Sequence, residues 1–214
     1  MRIISGVQNL VNALASASAL TKYHLRCYNL PYMAFPHRFC SECGESLEQP
    51  EPAEISQVCG SCETVHYSNA KPCAGAFVIK EGQVMLVRRG IEPYKGYWDI
   101  PGGFLNPDEH PEDGAIRELH EETSLQIRPI ALHGIYVDSY EYSPDELIYT
   151  LNVYYLAEIV EGQEIPQSDV MEIGWFRPAG LPQNVAFEHA KIALDDWANG
   201  QSTSGYLSAN AKNV

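Results

Sequence analysis

The stretch Gly102–Leu125, GGFLNPDEHPEDGAIRELHEETSL, limits the possible folds more than any other part of the chain. It reads as a helix opened by Pro111, whose fixed φ and missing N–H suit a first helical turn. At about 100° per residue, Glu118, Glu121 and Glu122 project within an arc of about 100°. Ile116, Leu119 and Thr123 fall on a separate face suited to a core. Arg117 borders the acidic arc, where it can clamp a carboxylate, and Gly114 and Ala115 leave room above the helix for a bulky group. Like charges at i,i+4 destabilise a helix, and no lysine is interspersed to relieve them. A solvated acidic face is the ordinary explanation of such a run. The competing one is a site for hard divalent cations such as Mg²⁺, which take oxygen ligands, with substrate phosphates completing their shells.

The surrounding texture is that of an α/β domain over residues 71–200. AGAFVIK and VMLVRR are apolar, β-branched runs split by EGQ, the pattern of a hairpin or two neighbouring strands. IRPIALHGIYVDSY and LIYTLNVYYLAEIV are strand-like, MEIGWF is a short strand, and FEHAKIALDDWANG is a helix closed by Gly200. Strands mixed with helices pack as layers around one core. Residues 201–214 form a small, polar tail.

Cys40, Cys43, Cys59 and Cys62 give a C-x₂-C-x₁₅-C-x₂-C spacing within residues 37–70. Each pair makes a tight knuckle, and four thiolates around Zn²⁺ close its tetrahedron, so such a site is structural. A segment this small has little apolar core, and the metal supplies folding energy. Two disulfides are the alternative. His66 reads as an ordinary polar residue of the last ribbon strand, and Cys27 and Cys73 as buried small apolar groups.

The formal charge of −14 argues against general affinity for nucleic acid or anionic membrane. No run is long and apolar enough for a membrane-spanning helix. Residues 1–36 contain no acidic residue and include VNALASASAL. Four readings stand for this extension: a signal peptide, a transit-like segment, an upstream start preceding Met33, or a plain extension. A cytoplasmic location is the expectation, with organelle targeting by this segment left open.

From Gly103 to Leu125 the chain resembles the Nudix box, Gly-x₅-Glu-x₇-Arg-Glu-U-x-Glu-Glu-x-Gly-U, where U is bulky and aliphatic. Gly103, Glu109, Arg117, Glu118, Leu119, Glu121, Glu122 and Leu125 occupy its positions, and Ser124 stands where the family has glycine. A zinc ribbon directly before such a domain is similar to the branch holding FAD or ADP-ribose pyrophosphatases and NADH pyrophosphatases. The resemblance implies an α/β/α sandwich with a mixed sheet, preceded by a small zinc ribbon, and commonly a homodimer. It also implies hydrolysis of a nucleoside diphosphate linked to another group, with Mg²⁺ or Mn²⁺ and a small-molecule dinucleotide as substrate.

Carried over by position, Glu118, Glu121, Glu122 and the Gly103 carbonyl are the expected metal ligands. Arg117 is expected to orient Glu118, and Glu109 to hold a metal-bound water or tie the loop to the helix. Glu172 is the preferred general base, with Glu161, Glu164 and Asp169 as alternatives. An adenine slot is expected among Tyr136, Tyr140, Tyr142 and Phe187, and Arg88 or Arg89 is expected on a phosphate. Trp98 is expected beneath the Pro-Gly-Gly loop.

FAD or ADP-ribose, releasing AMP, is the leading substrate expectation. NADH or NAD-capped RNA is second, because residues 126–150 lack the Ser-Gln-Pro-Trp signature of that branch. A silent nucleotide sensor or zinc-ribbon binding module is third, since degenerate members lose box carboxylates and this chain keeps them.

Overall fold

A computed structural model describes residues 37–48, 56–143 and 146–200. The expected N-terminal extension and the polar tail lie outside the described residues.

Two short strands, β1 (Ser56–Val58) and β2 (Val65–Tyr67), form an antiparallel ribbon with Val58 opposite Val65. The main sheet starts with β3 (Lys71–Lys80) and β4 (Gln83–Arg89). Glu81 and Gly82 join them, both with positive φ (52° and 71°). That two-residue connection matches the right-handed twist of a hairpin. Next come β5 (Trp98–Asp99) and β6 (Gly102–Phe104), then α1 (Pro111–Thr123). The long strands β7 (Gln126–Ser143) and β8 (Glu146–Glu161) follow, then β9 (Val170–Phe176) and α2 (Glu188–Ala198).

The strand order is β5-β4-β3-β8-β7, with β6 also on β3 and β9 also on β4. β3 runs parallel to β8 and antiparallel to β4 and β6, so the sheet is mixed. One edge of β3 is shared: its first half pairs β6 and its last residues pair β4. Pro101 sits between β5 and β6, and its carbonyl accepts from Ala76 N–H at 3.1 Å.

Period-two alternation divides the core between the faces. Phe77, Val84 and Leu86 pack with Ala190, Ala193 and Leu194 of α2. Ala76, Val78 and Met85 pack with Leu119 of α1. The sequence-expected core face of α1 is the buried one: Leu119 and Thr123 are fully buried. Truncating Leu119 to alanine would cost about 2–5 kcal/mol. The result is helix, sheet, helix, with the acidic side of α1 turned to the end of the sheet where β5 and β6 lie.

Candidate active site

Local backbone chemistry sets the site. Gly102 has φ 154°, and a Cβ there would collide with the Ala74 carbonyl, so only glycine fits against β3. Gly103 pairs with Ala74, and a Cβ on it would lie 2.6 Å from the carboxyl carbon of Glu118. Glu118 therefore rests directly on the Gly103 backbone. Trp98 does not lie beneath this loop. Its ring meets Phe176 edge-on at 4.9 Å and covers Gly174, while the loop is held by strand pairing and the Pro101–Ala76 bond. The space above Gly114 is also taken, by Leu105 and Glu109. The small residues of α1 admit the chain's own loop rather than a bulky ligand.

Arg117 organises three carboxylates. Its Nε and Nη2 grip Glu109 at 2.7 and 2.8 Å, a bidentate pair. Nη1 donates to Glu118 at 2.7 Å and to Glu121 at 3.2 Å, and Nη2 also reaches the Phe104 carbonyl at 3.1 Å. The Arg117 guanidinium and the Asn106 N–H hold Glu109 down to about 2. Glu109 thus ties the 104–109 loop to the helix. Glu121 is more than half exposed.

Glu122 turns inward. Its carboxylate accepts from Gly102 N–H at 3.1 Å and is almost fully buried. Burial, with the charges of Asp169, Asp99 and Glu118, pushes it well above its ordinary value. Burial also raises Glu118 against the pull of Arg117. Asp99 is raised by burial too, although His189 and Arg89 oppose the shift; Arg89 Nη1 donates to it at 3.3 Å. The charges of Asp169, Asp99 and Glu118 thus all penalise ionisation of Glu122 and surround it with carboxylate oxygens. That donor set suits a hard divalent cation. Sequence reasoning missed Asp99, whose only signal is its place in the WDIPGG turn.

The other expected residues are distributed as follows. Glu172 lies on β9, more than half exposed, paired with Arg88 at 3.2 Å. Arg88 also donates to the Gly96 carbonyl at 2.9 Å. Glu164 accepts from Trp175 Nε1 at 2.9 Å and sits 3.9 Å from Lys80, and Glu161 pairs with Gln126 at the far end of β8. Of these loop acids, Asp169 is the one whose charge reaches Glu122.

The expected aromatic slot is a packed cluster. Phe187 is buried, 5.1 Å from Tyr140 and from Tyr94, with the Arg89 guanidinium 5.0 Å from its centroid. The Tyr136 hydroxyl donates to Asp196 at 3.1 Å. The side chain of Tyr142 lies outside the described residues.

In the ribbon, the ligand atoms of Cys40, Cys43, Cys59 and Cys62 all lie within 4.8 Å of one another. Cys40–Cys62 and Cys43–Cys59 sulfurs are 3.5 and 3.6 Å apart. A tetrahedral ZnS₄ centre has sulfur–sulfur edges of roughly 3.8 Å, so the cluster fits a zinc ribbon. The Thr64 hydroxyl and backbone hold the Cys62 thiol down to about 6. His66 is more than an ordinary strand residue: it is buried, with Nε2 3.3 Å from Cys40 Sγ. Cys73 is a buried thiol, pushed up to about 12 by burial. Among the described residues, the four cysteines are the one set of three or more His, Cys, Asp or Glu gathered so closely.

A mixed sheet between two helices, with a Gly-Gly strand feeding an acid-lined helix, defines the class. Residues 69–195 match the NUDIX domain family, and the chain belongs to it. It is 29% identical over 138 residues to the ADP-ribose pyrophosphatase of Methanocaldococcus jannaschii, covering 63% of this chain and 78% of that protein. It is 31% identical over 147 residues to the NAD-capped RNA hydrolase NudC of Pseudomonas fluorescens, covering 68% of this chain but only 50% of that longer protein. The crystal structure of a NUDIX hydrolase from Nitrosomonas europaea superposes with a TM-score of 0.64 at 27% identity, over 77% of this chain and 92% of that one.

Proposed function

We propose that this chain is a divalent-metal-dependent pyrophosphatase that hydrolyses a nucleoside diphosphate linked to another moiety, ADP-ribose or FAD, and releases AMP. One observation carries the reading: Glu118 rests on the Gly103 backbone while Arg117 fixes it and Glu109 together. Side-chain and carbonyl oxygens are thereby held at one end of the sheet. Bound Mg²⁺ or Mn²⁺ would neutralise the pyrophosphate and make water nucleophilic at neutral pH. Glu118, Glu121, Glu122 and the Gly103 carbonyl are the proposed ligands.

Water attacks one phosphorus, the bond to the bridging oxygen breaks, and a carboxylate takes the water proton. Glu172 is the base preferred from sequence, and Asp169 is the loop acid that reaches Glu122. The ribbon holds Zn²⁺ as a structural ion. A homodimer belongs to this reading: Ile135, Val137 and Leu151 are 57%, 56% and 36% exposed on neighbouring positions of β7 and β8. The NudC relative supports a second reading, with NADH or NAD-capped RNA as the dinucleotide.

The test is to incubate the purified chain and Mg²⁺ with ADP-ribose, FAD, NADH and NAD-capped RNA, following release of AMP, NMN or a 5′-monophosphate RNA. AMP from ADP-ribose or FAD is the expected result. Turnover confined to NADH or capped RNA selects the second reading, and no turnover of any of the four refutes both. Glu121→Gln is expected to abolish turnover with an unchanged melting temperature.

A further inference from the structure

The two-stranded ribbon inverts the usual order of burial. Successive side chains of a strand point to opposite faces. In β1 and β2 the pair Gln57–His66 faces inward, 4% and 8% exposed. The next pair, Val58–Val65, faces solvent, 62% and 44% exposed. Hydrophobic burial alone would turn the valines inward, since a one-residue slip exchanges the two faces. Two buried polar side chains therefore need partners on the inner face that repay their loss of water.

Gln57 has a backbone task. Its Nε2 donates to the His37 and Glu48 carbonyls at 3.2 and 2.9 Å, closing the two ends of the segment that carries Cys40 and Cys43. His66 turns to sulfur instead. Its Nε2 lies 3.3 Å from Cys40 Sγ, across 26 residues of chain. Cys43 and Cys62 are exposed and open to water, and the Thr64 hydroxyl stands 3.2 Å from Cys62 Sγ. Cys40 is only 3% exposed. A metal-ligating cysteine is a thiolate, and a thiolate has no hydrogen to give, so the hydrogen of this contact belongs to Nε2. An N–H donated to an ionised acceptor is among the stronger hydrogen bonds, and a buried anion needs one.

Resting on the zinc-ribbon reading above, we propose that His66 is a positioning residue of the cysteine site: without ligating the ion, its Nε2–H donates to the buried Cys40 thiolate and so governs how firmly the ribbon retains Zn²⁺. The bond joins the first knuckle to the strand that follows the second, which explains why β2 turns a histidine inward and leaves Val65 outside. Outer partners of this kind commonly contribute about tenfold or more to metal affinity.

The test measures Zn²⁺ affinity of the full chain against a competing chelator, with Co²⁺ as a spectroscopic probe. His66→Phe keeps a ring and removes the donor. It should raise Kd for Zn²⁺ by roughly 10–100-fold, while the cobalt spectrum remains that of four thiolates. His66→Gln, whose amide can donate, should recover most of the affinity. In the unmodified, zinc-loaded chain, imidazole nitrogen shifts in NMR should place a hydrogen on Nε2 of His66. A ring with its hydrogen on Nδ1 alone overturns the proposal whether or not a variant folds. Equal Zn²⁺ affinities of the unmodified and His66→Phe chains overturn it too. So does a His66→Gln loss as large as that of His66→Phe, which marks packing, or a cobalt spectrum changed by His66→Phe, which makes His66 a ligand. An unmodified chain that binds neither ion refutes the zinc ribbon itself, and the proposal with it.

Discussion

The cysteine cluster and the acidic face of α1 are both crowds of like ligands, and the structure treats them in opposite ways. Four sulfurs come from two knuckles that approach each other across a two-stranded ribbon, and they meet within 4.8 Å. Three carboxylates come from one helix, whose geometry fans neighbouring side chains apart. Glu118 and Glu121 go to Arg117, and Glu122 to Gly102 N–H. A cage closed by backbone knuckles suits an ion that stays. An open fan, with one arm exposed and held only by an arginine, suits ions that arrive with a substrate. The difference teaches that ligand spacing alone does not define a metal site; the elements carrying the ligands decide whether it is closed.

The largest expected effect is on the closed side. The described ribbon core is little more than Cys40, Leu47 and Cys59, so a bound ion would stand in for missing apolar burial, worth on the order of 10 kcal/mol at neutral pH. Strong chelation, or Cys59→Ser, is expected to abolish amide protection of Ser56–Tyr67 in hydrogen exchange. The NUDIX sheet should keep its protection. A ribbon that stays protected without metal would remove the contrast between the two clusters.

The second test separates fold from chemistry at adjacent glycines. Gly102→Ala puts a methyl group into the Ala74 backbone at φ 154°. It is expected to lower stability by more than about 3 kcal/mol. Gly103→Ala meets only the flexible end of Glu118, so it should cost less than about 1 kcal/mol. The displaced carboxylate should still reduce kcat by at least roughly tenfold. Thermal unfolding and steady-state kinetics on both variants check this, and equal loss of stability would show that Glu118 is wedged rather than movable.

Much of this division was legible in the sequence. The C-x₂-C spacing specifies knuckles locally, and the spacing from Gly103 to Leu125 specifies a loop feeding a helix, so both clusters could be located before any fold was known. The hairpin around Glu81–Gly82, the two long strands and α2 were legible for the same local reason: alternation and turn chemistry act over a few residues. Long-range partners were not legible. Nothing near Trp98 indicates that it will pack on Phe176, nothing near Gly114 that Leu105 will fill the space, and nothing in the ribbon strand that His66 will touch Cys40. Asp99 and Asp169 are far from Glu122 in sequence and become its neighbours only when β5 and the β8–β9 loop close over the end of α1. The packing of Phe187 against Tyr94 and Tyr140 was likewise not legible, because a residue's burial depends on long-range neighbours.

A smaller effect probes the repulsion in the fan. Glu122 has a folded value raised by burial and by its acidic neighbours. The folded state therefore holds this proton more tightly than the unfolded chain, whose value stays near 4.5. Between that pH and the raised folded value, stability falls as pH rises. The metal-free chain should accordingly melt higher near pH 5 than near pH 7, by roughly 2–4 °C for each 1 kcal/mol involved. Saturating Mg²⁺ should reverse the trend, because cation binding favours the ionised form. A metal-free melting temperature that rises from pH 5 to 7 would contradict the burial of Glu122 as a charged group.

The smallest effect concerns Ser124, the one box position that departs from the family. The structure gives it the left-handed cap that glycine favours, φ 62° and ψ 10°, with its N–H on the His120 carbonyl at 2.8 Å. A non-glycine residue there costs roughly 1 kcal/mol. The serine returns part of that, since Ser124 Oγ accepts from Gln167 Nε2 at 2.5 Å, and Gln167 N–H caps the Glu122 carbonyl at 3.0 Å. Ser124→Gly removes the strain together with an exposed hydrogen bond worth about 0.5–1.5 kcal/mol. The net change in stability should stay within about 1 kcal/mol of zero, and kcat with Mg²⁺ should be unchanged, because no carboxylate moves. A large loss of kcat with preserved melting would instead make the Ser124–Gln167 contact part of the acidic face, holding the 162–169 loop and Asp169 against Glu122.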